Sequence, residues 1–238
     1  MINHFAVPFA PDATQRHLCL EDFEKADVRV AERRFGVRDL IFAPGDPDGQ
    51  LYFVLEGTVR LYKIYGAYKE ATVALLTHGD VFGELCLEET SCQKTFAEAV
   101  TDARVAVVRK SVLNEIIKRR PTFALKLFSS FSERLRQSEE TIEGLLDREV
   151  SARLATLLSH LGDRFGEPDG SGTLLKVRLT HQDLANMIVS TREAVSKEMS
   201  EFQRAGLIKV QNRSISITPQ LAKSRSSKAF STPRGAAA

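Results

Sequence analysis

The chain has 238 residues, of which 43% are hydrophobic and 27% charged, and its formal net charge at pH 7 is +2. This length suits two modest domains, and the small charge excludes a uniformly basic coat for nucleic acid but not a local basic face. The three cysteines lack metal-site spacing and no apolar run could span a bilayer, so we expect a cytoplasmic protein without disulfides, metal or membrane partner.

Between Phe35 and Val108 the chain consists of short runs rich in Val, Leu, Phe and Tyr, separated by glycine-containing turns. Turns at intervals of about eight to twelve residues are typical of an antiparallel sandwich or barrel. Glycine adopts the positive φ of such turns at little cost. The expected turn residues are Gly45, Gly57, Gly79 and Gly83.

After Lys110 the glycine turns stop and helix-forming residues dominate. We expect Ser111 to cap a first helix and Pro121 to start a second. From Pro121 to about Asp147 apolar residues alternate four and three positions apart, which is a heptad seam. A stripe this narrow cannot stabilise an isolated helix of roughly 40 Å. We therefore expect two copies of the chain to form a homodimer by pairing these helices, with packing inside one subunit as the alternative. The seam consists of Ala124, Phe128, Phe131, Leu135, Ser138, Ile142 and Leu145.

The next segment predicts a helix from about Val150 to Phe165, then a hairpin or turn at "GEPDGSG", then a short strand from Leu174 to Arg178. The long helix ends near residues 147–151, which is where we place the boundary between two domains. A second, smaller domain therefore occupies the C-terminal third of the chain.

The stretch "LTHQDLANMIVSTREAVSKEMSEFQRAGLI" has the pattern of two short helices joined by a tight turn. Thr180 and Asp183 have the spacing of a capping arrangement, and Gly206 ends the second helix. "LIKVQNRSISIT" follows and alternates like a small β-hairpin. The sequence therefore predicts a winged helix-turn-helix. Its expected inner-face residues are Leu184, Ala185, Ile188, Val195, Met199 and Phe202.

The start of the second helix offers groups that suit a major groove of double-stranded DNA. An arginine can bond guanine O6 and N7, a glutamate can accept from a cytosine amine, and hydroxyls can bind phosphates. Between Lys176 and Arg213 there are seven Lys or Arg residues against four Asp or Glu. The alternative is a solvated charged helix face. The outward groups are Ser190, Thr191, Arg192, Glu193, Ser196 and Lys197.

The order of these features over residues 35–218 resembles the cyclic-AMP receptor protein/FNR (CRP/FNR) family of bacterial transcription regulators. "GDVFGELCLEE" matches its ligand-pocket segment and "STREAVSKEM" its recognition helix. The resemblance implies an α+β fold with an antiparallel, jelly-roll-like β-roll (a double-stranded β-helix), acting as a dimer on palindromic DNA together with RNA polymerase. The expected parts are a flexible segment 1–20, the effector roll 21–110, helices 111–148 with the dimer helix, a winged helix-turn-helix 149–222 and a basic disordered tail 223–238.

The resemblance also assigns roles to particular residues. Arg192, Glu193 and Lys197 would contact bases. Thr180, Gln182 and Ser190 would contact the DNA backbone.

Two effectors follow from the resemblance. The cyclic-nucleotide pocket of the family has a Gly-Glu-Leu segment and an Arg-Ser pair. Here Gly83, Glu84 and Leu85 match the first, but Lys94 and Thr95 replace the second, without the planar fork of arginine.

In detail the chain is closer to the cyanobacterial nitrogen-control regulators, which sense 2-oxoglutarate. Their site corresponds to Phe82–Leu85 with Arg134 and Glu139, although Thr95 stands where they have a second arginine and Glu84 where they have a small apolar residue. We favour a 2-oxoglutarate-like effector in nitrogen regulation, with a cyclic nucleotide or a vestigial pocket as alternatives. An interhelix salt bridge is the alternative role for Arg134 and Glu139.

Two other classes of protein are less well supported by the sequence. The five histidines show no catalytic pattern, and the chain has no Walker loop, no G-x-S-x-G and no H-E-x-x-H, so no enzyme and no catalytic cofactor are expected. An effector-binding or scaffold protein without DNA binding would require a vestigial helix-turn-helix.

Overall fold

A computed structural model describes residues 18, 20–46, 49–66, 69–84, 93–146, 149–170, 172–211 and 214–221. The chain divides into two compact units, the first from residues up to 62 together with 74–136, and the second from residues 63–73 together with those from 137 onwards. The predicted basic tail 223–238 lies outside the described residues, as does most of the predicted flexible segment 1–20.

The first unit contains two four-stranded antiparallel sheets, apart from residues 63–65 of β4 and 69–73 of β5, which belong to the second unit. Their strand orders are β1-β8-β3-β6 and β2-β7-β4-β5. The strands are β1 (Ala31–Phe35), β2 (Leu40–Phe42), β3 (Gln50–Glu56), β4 (Val59–Tyr65), β5 (Lys69–Leu76), β6 (Val81–Phe82), β7 (Phe96–Ala99) and β8 (Ala103–Arg109).

The core of this unit lies between the two sheets. Val54 and Val105 come from the first sheet, Val59 and Leu61 come from the second, and all four side chains are fully or almost fully buried. Successive side chains along a strand point to opposite faces of the sheet, so every second residue packs in this core. The predicted antiparallel β domain is therefore confirmed.

Three helices cover the other face of the first sheet. They are α1 (Leu20–Glu24), α2 (Lys110–Arg119) and α3 (Pro121–Leu145). Phe53 of the sheet packs edge to face on Phe23 of α1, with ring centroids 5.1 Å apart. Leu18 is also buried in this cluster, so the packed core extends into the segment that was predicted to be flexible.

The predicted turn glycines adopt the backbone conformation that requires glycine. Gly45, Gly57, Gly79 and Gly83 have φ values of 94°, 81°, 84° and 95°. A Cβ atom on Gly57 would lie 2.2 Å from the carbonyl oxygen of Asp102. The tight turn between β3 and β4 therefore excludes every other residue at this position.

The predicted serine cap of α2 is wrong. The helix begins at Lys110, one residue before Ser111, and its N-cap residue Arg109 makes no side-chain cap bond. Strand β8 runs directly into the helix, and the Lys110 N–H donates instead to the carbonyl oxygen of Gly49 at 2.9 Å. A backbone partner distant in sequence thus replaces the expected side chain. The prediction that Pro121 starts α3 is confirmed.

The second unit contains three helices and a four-stranded sheet of order β11-β12-β10-β9. Its elements are α4 (Val150–Phe165), β9 (Gly166–Asp169), β10 (Gly172–Leu175), α5 (His181–Met187), α6 (Arg192–Arg204), β11 (Ile208–Gln211) and β12 (Ser214–Ile217). Helix α4 has the predicted bounds.

The predicted strand from Leu174 to Arg178 is shifted. Strand β10 begins at Gly172 and ends at Leu175, where the chain bends and the Lys176 N–H donates to the carbonyl oxygen of Phe165 at 2.9 Å. A Cβ on Gly172 would lie 2.1 Å from the carbonyl oxygen of Ile217, so this glycine allows β12 to approach. Strands β9 and β10 pair in antiparallel register, which confirms the hairpin alternative predicted for this stretch.

Among the described helices, none has the length and apolar character needed to cross a membrane.

Candidate DNA-binding and effector sites

Helix α5 starts at the predicted capping box. The Thr180 hydroxyl accepts from the Asp183 N–H at 3.1 Å, and the Asp183 carboxylate accepts from the Thr180 N–H at 2.7 Å. These bonds satisfy backbone groups that the first turn of a helix leaves unpaired. Leu184, Ala185 and Ile188 are buried as predicted.

The turn between α5 and α6 has a strained centre. Val189 has a φ of 51°, in the left-handed region that a β-branched residue rarely adopts. The Ser190 N–H donates to the carbonyl oxygen of Ala185 at 3.0 Å, and the Thr191 hydroxyl accepts from the Ala194 N–H at 3.2 Å. The structure thus makes Thr191 the N-cap of α6, a role that the sequence analysis did not assign to it.

Helix α6 presents charged groups on one face and apolar groups on the other. Arg192, Glu193 and Lys197 are exposed in its first two turns. Val195 and Met199 are buried. The buried side chains hold the helix against the rest of the unit, so its opposite face remains exposed. The charged residues lie at the start of that exposed face, where a recognition helix contacts base edges.

Two of the predicted DNA contacts also bond to neighbouring side chains. The Ser196 hydroxyl lies 2.7 Å from Nδ1 of His181, the first residue of α5, which links the two helices. Gln182 is exposed, and its Nε2 donates to Oδ1 of Asn186 at 2.8 Å. Sequence reasoning missed His181 because its bond joins two separate helices. It missed Asn186 although the four-residue spacing from Gln182 is a signal that could have indicated this bond.

The basic residues counted in the sequence lie both on α6 and outside it. Lys176 forms an ion pair with Glu167 at 2.7 Å. Arg178 and Lys209 are exposed outside α6. Helix α6 itself carries three basic and three acidic residues, namely Arg192, Lys197 and Arg204 with Glu193, Glu198 and Glu201.

A β-hairpin follows the recognition helix, as predicted. Gly206 has a φ of 69° and ends α6, and β11 pairs with β12 in antiparallel register, with Ile208 opposite Ile217. The hairpin tip, residues 212–213, lies outside the described residues. Two helices with a short turn and a following hairpin complete a winged helix-turn-helix.

In the roll, the predicted effector segment is held against strand β3. Phe82 is fully buried and stacks on Tyr52 with ring centroids 5.2 Å apart. A Cβ on Gly83 would lie 2.7 Å from the carbonyl oxygen of Gln50. The chain thus turns sharply after β6, at the beginning of the predicted pocket segment. Leu85 lies outside the described residues.

The structure brings Glu84 next to Lys94. The Glu84 Oε1 atom accepts from the backbone N–H of Lys94 at 3.4 Å, while the Lys94 side chain is exposed and Thr95 is half-buried. A carboxylate accepts hydrogen bonds but cannot donate them when ionised. The Glu84 carboxylate can therefore accept hydrogen bonds from hydroxyl groups of a bound molecule.

Arg134 of α3 reaches the same region. Its guanidinium donates to the carbonyl oxygen of Val81, the residue before Phe82, at 3.3 Å. Glu139 is exposed and is five residues further along, which places it about 140° around the helix from Arg134. The two side chains therefore leave the helix on different sides.

The predicted seam of α3 is largely uncovered in the single chain. Phe128, Leu135 and Ile142 are 72%, 62% and 61% exposed. Phe123 and Leu127 are buried on the side that faces the roll. The remaining seam residues are Phe131, which is exposed, and Ala124, Ser138 and Leu145, which are half-buried.

Taken together, an antiparallel β domain, a long helix and a winged helix-turn-helix are the parts of a DNA-binding transcription regulator. Residues 32–120 match the cyclic nucleotide-binding domain family, and residues 152–220 match the Crp-like helix-turn-helix domain family. The global nitrogen regulator of Synechocystis sp. is 33% identical over 78% of this chain and 83% of its own. The chain therefore belongs to the CRP/FNR family of transcription regulators.

Other members of the family support this assignment. The CRP-like cAMP-activated global transcriptional regulator of Mycobacterium tuberculosis is 26% identical over 75% of this chain and 80% of its own. A CRP/FNR-family regulator from Thermus thermophilus superposes with a TM-score of 0.65 at 28% identity, covering 82% of this chain and all of that one. These relatives are transcription regulators rather than enzymes, in agreement with the sequence.

Proposed function

We propose that the protein is a homodimer that binds a palindromic DNA site and responds to a small-molecule effector in its β-roll. The observation that carries the proposal is the start of α6, where Arg192, Glu193 and Lys197 are exposed while the opposite face is buried. Arg192 is the first residue of the helix, so its guanidinium can extend into a major groove and bond guanine O6 and N7 together.

The test is to replace Arg192 with alanine and to measure binding to a duplex selected from a random pool by the wild-type protein. Arg192→Ala should weaken binding by about 1–3 kcal/mol and relax one base position in each half-site. Arg204→Ala, in the last turn of the same helix, is the matched control and should leave base preference unchanged. Full specificity in the absence of Arg192 would refute its role as a base contact.

The exposed seam of α3 supports the dimer. A parallel pair of α3 helices would cover Phe128, Leu135 and Ile142 of both chains, and a two-fold axis would then relate the two recognition helices. Two such helices read half-sites about 34 Å apart, which is why we propose a palindromic site. We also propose that the protein acts in the cytoplasm with RNA polymerase.

For the effector we favour a 2-oxoglutarate-like dicarboxylate. Its support is the similarity to global nitrogen regulators and the position of Arg134, which bonds the Val81 carbonyl beside the pocket segment. Because Arg134 and Glu139 leave α3 on different sides, we propose that one pocket takes Arg134 from its own chain and Glu139 from the partner chain.

A cyclic nucleotide is the second candidate, and Glu84 favours it. This residue occupies the position of the family's ribose-binding carboxylate. Next to a dianionic ligand such as 2-oxoglutarate, the same carboxylate would weaken binding through charge repulsion, by on the order of 1 kcal/mol or more. Lys94 is the nearby cation for a cyclic phosphate, although it lacks the fork of an arginine.

Calorimetry against 2-oxoglutarate, cyclic AMP and cyclic GMP separates the two candidates. The ligand that binds should also strengthen DNA binding, and Arg134→Ala should abolish that increase without changing the dimer. If none of the three ligands binds and DNA affinity is the same with and without each of them, the roll of this chain is vestigial as a sensor, and regulation then depends on the abundance of the protein.

A further inference from the structure

Strand β5 carries residues of both compact units. Leu76 is buried in the core of the roll, and Ala74 packs against that core. Residues 63–73, at the tip of the β4–β5 hairpin, belong instead to the unit that contains the helix-turn-helix. Glu70 therefore belongs to the same compact unit as helix α5.

Glu70, at this tip, begins a chain of side-chain hydrogen bonds that ends on a predicted DNA contact. Asn186 of α5 donates from Nδ2 to Oε2 of Glu70 at 3.4 Å. Gln182, one turn earlier in α5, donates from Nε2 to Oδ1 of Asn186 at 2.8 Å. Asn186 is only 9% exposed, whereas Gln182 is exposed.

The chemistry of the three groups fixes the direction of both bonds. An ionised carboxylate only accepts hydrogen bonds, so Glu70 requires the NH2 end of Asn186 to face it. The Asn186 oxygen must then face Gln182, which must present its own NH2 group. Without Glu70, the Asn186 amide could rotate by half a turn and pair with the Gln182 oxygen instead.

We propose that Glu70 is a positioning residue for DNA backbone recognition, acting through Asn186 on Gln182. The inference rests on the proposed function, because it requires Gln182 to contact a phosphate. The Gln182 NH2 group gives one hydrogen to Asn186 and keeps the second for a phosphate oxygen. Because Asn186 is only 9% exposed, we expect Glu70 to act on DNA binding through the orientation of Gln182.

The experiment measures binding of the full-length protein to the duplex selected by the wild type. Glu70→Ala should weaken binding by about two- to tenfold, the contribution of a typical hydrogen bond. Glu70→Gln should retain most of the affinity, because its amide oxygen can still accept from Asn186. Lys69 is exposed and is next to Glu70, and Lys69→Ala is the control. It leaves the bond between Glu70 and Asn186 intact and should not reproduce the loss of affinity.

A double-mutant cycle separates positioning from general loss of structure. In a Gln182→Ala background, Glu70→Ala should have no further effect, because the side chain it positions is absent. Additive losses would overturn the proposal. Tighter binding by Glu70→Ala and Glu70→Gln would also overturn it, since repulsion between the carboxylate and DNA would then be the dominant effect. If the wild type itself fails to bind DNA, the proposed function fails, which is a different result from additivity.

Discussion

Replacing Leu135, at the centre of the α3 seam, tests the proposed dimer most directly. Burying a whole leucine side chain contributes about 1.5–3 kcal/mol, and Leu135 is 62% exposed in the single chain, so covering the rest contributes about 1–2 kcal/mol per protomer. Two copies meet across a two-fold axis. Leu135→Ala should therefore weaken the dimer by about 2–4 kcal/mol, or roughly 30- to 900-fold in Kd.

Leu135→Glu should have a larger effect. It places two carboxylates in the apolar seam without a partner, and an uncompensated buried charge costs about 3–5 kcal/mol. The variant should be a monomer that no longer holds both halves of a palindromic site. Its roll should remain folded, because the helix side that packs on the roll is formed by Phe123 and Leu127, which are unchanged.

Sedimentation equilibrium or light scattering over a range of concentrations measures the dissociation constant. Ser129→Glu is the matched control, because Ser129 is exposed on the same helix and lies about 120° around its axis from Leu135. The control should dimerise like the wild type. A Leu135→Glu protein that remains fully dimeric at nanomolar concentration would refute dimerisation through this seam.

Two further predictions concern stability. Thr180→Ala removes the side-chain cap of α5 and should lower the free energy of unfolding of the DNA-binding unit by about 1 kcal/mol in thermal melts. Thr180→Ser keeps the cap oxygen and is the control. Equal melting temperatures for the two variants would contradict a stabilising cap. The hydrogen bond from Arg104 holds the pKa of Glu56 below its ordinary value of 4.5, so the stabilisation is present above that pH and is lost as the pH falls below it. Glu56→Gln should reduce the acid sensitivity of unfolding, with the exposed Glu115→Gln as control; an unchanged pH profile would contradict the linkage.

Local signals account for what the sequence predicted well. The capping box of Thr180 and Asp183 lies within one helical turn, and a positive φ at Gly57 or Gly83 depends on the residue itself. The heptad spacing of α3 likewise repeats within a single element. Such features are encoded by residues that are neighbours along the chain, so no knowledge of the fold is required.

Features that depend on distant partners were not predictable in this way. The start of α2 depends on the Gly49 carbonyl, about sixty residues before Lys110, and not on the adjacent serine. The bond between His181 and Ser196 requires two helices to be packed already, and the contact of Glu70 with Asn186 joins residues that are 116 positions apart in the chain. Sequence patterns indicate which side chains are exposed, but not which backbone or side-chain group will meet them.

The position of Arg134 relates the proposed effector site to the proposed dimer helix. Arg134 bonds the Val81 carbonyl, and the next residue, Leu135, belongs to the seam, so consecutive positions of α3 serve the roll and the proposed partner. A ligand that changes the bond of Arg134 would therefore shift the seam beside it. A dimer has two such sites, so a bias of about 1–2 kcal/mol at each would add to a few kcal/mol across the two-fold axis, enough to change the population of DNA-competent dimers by tens to hundreds of times.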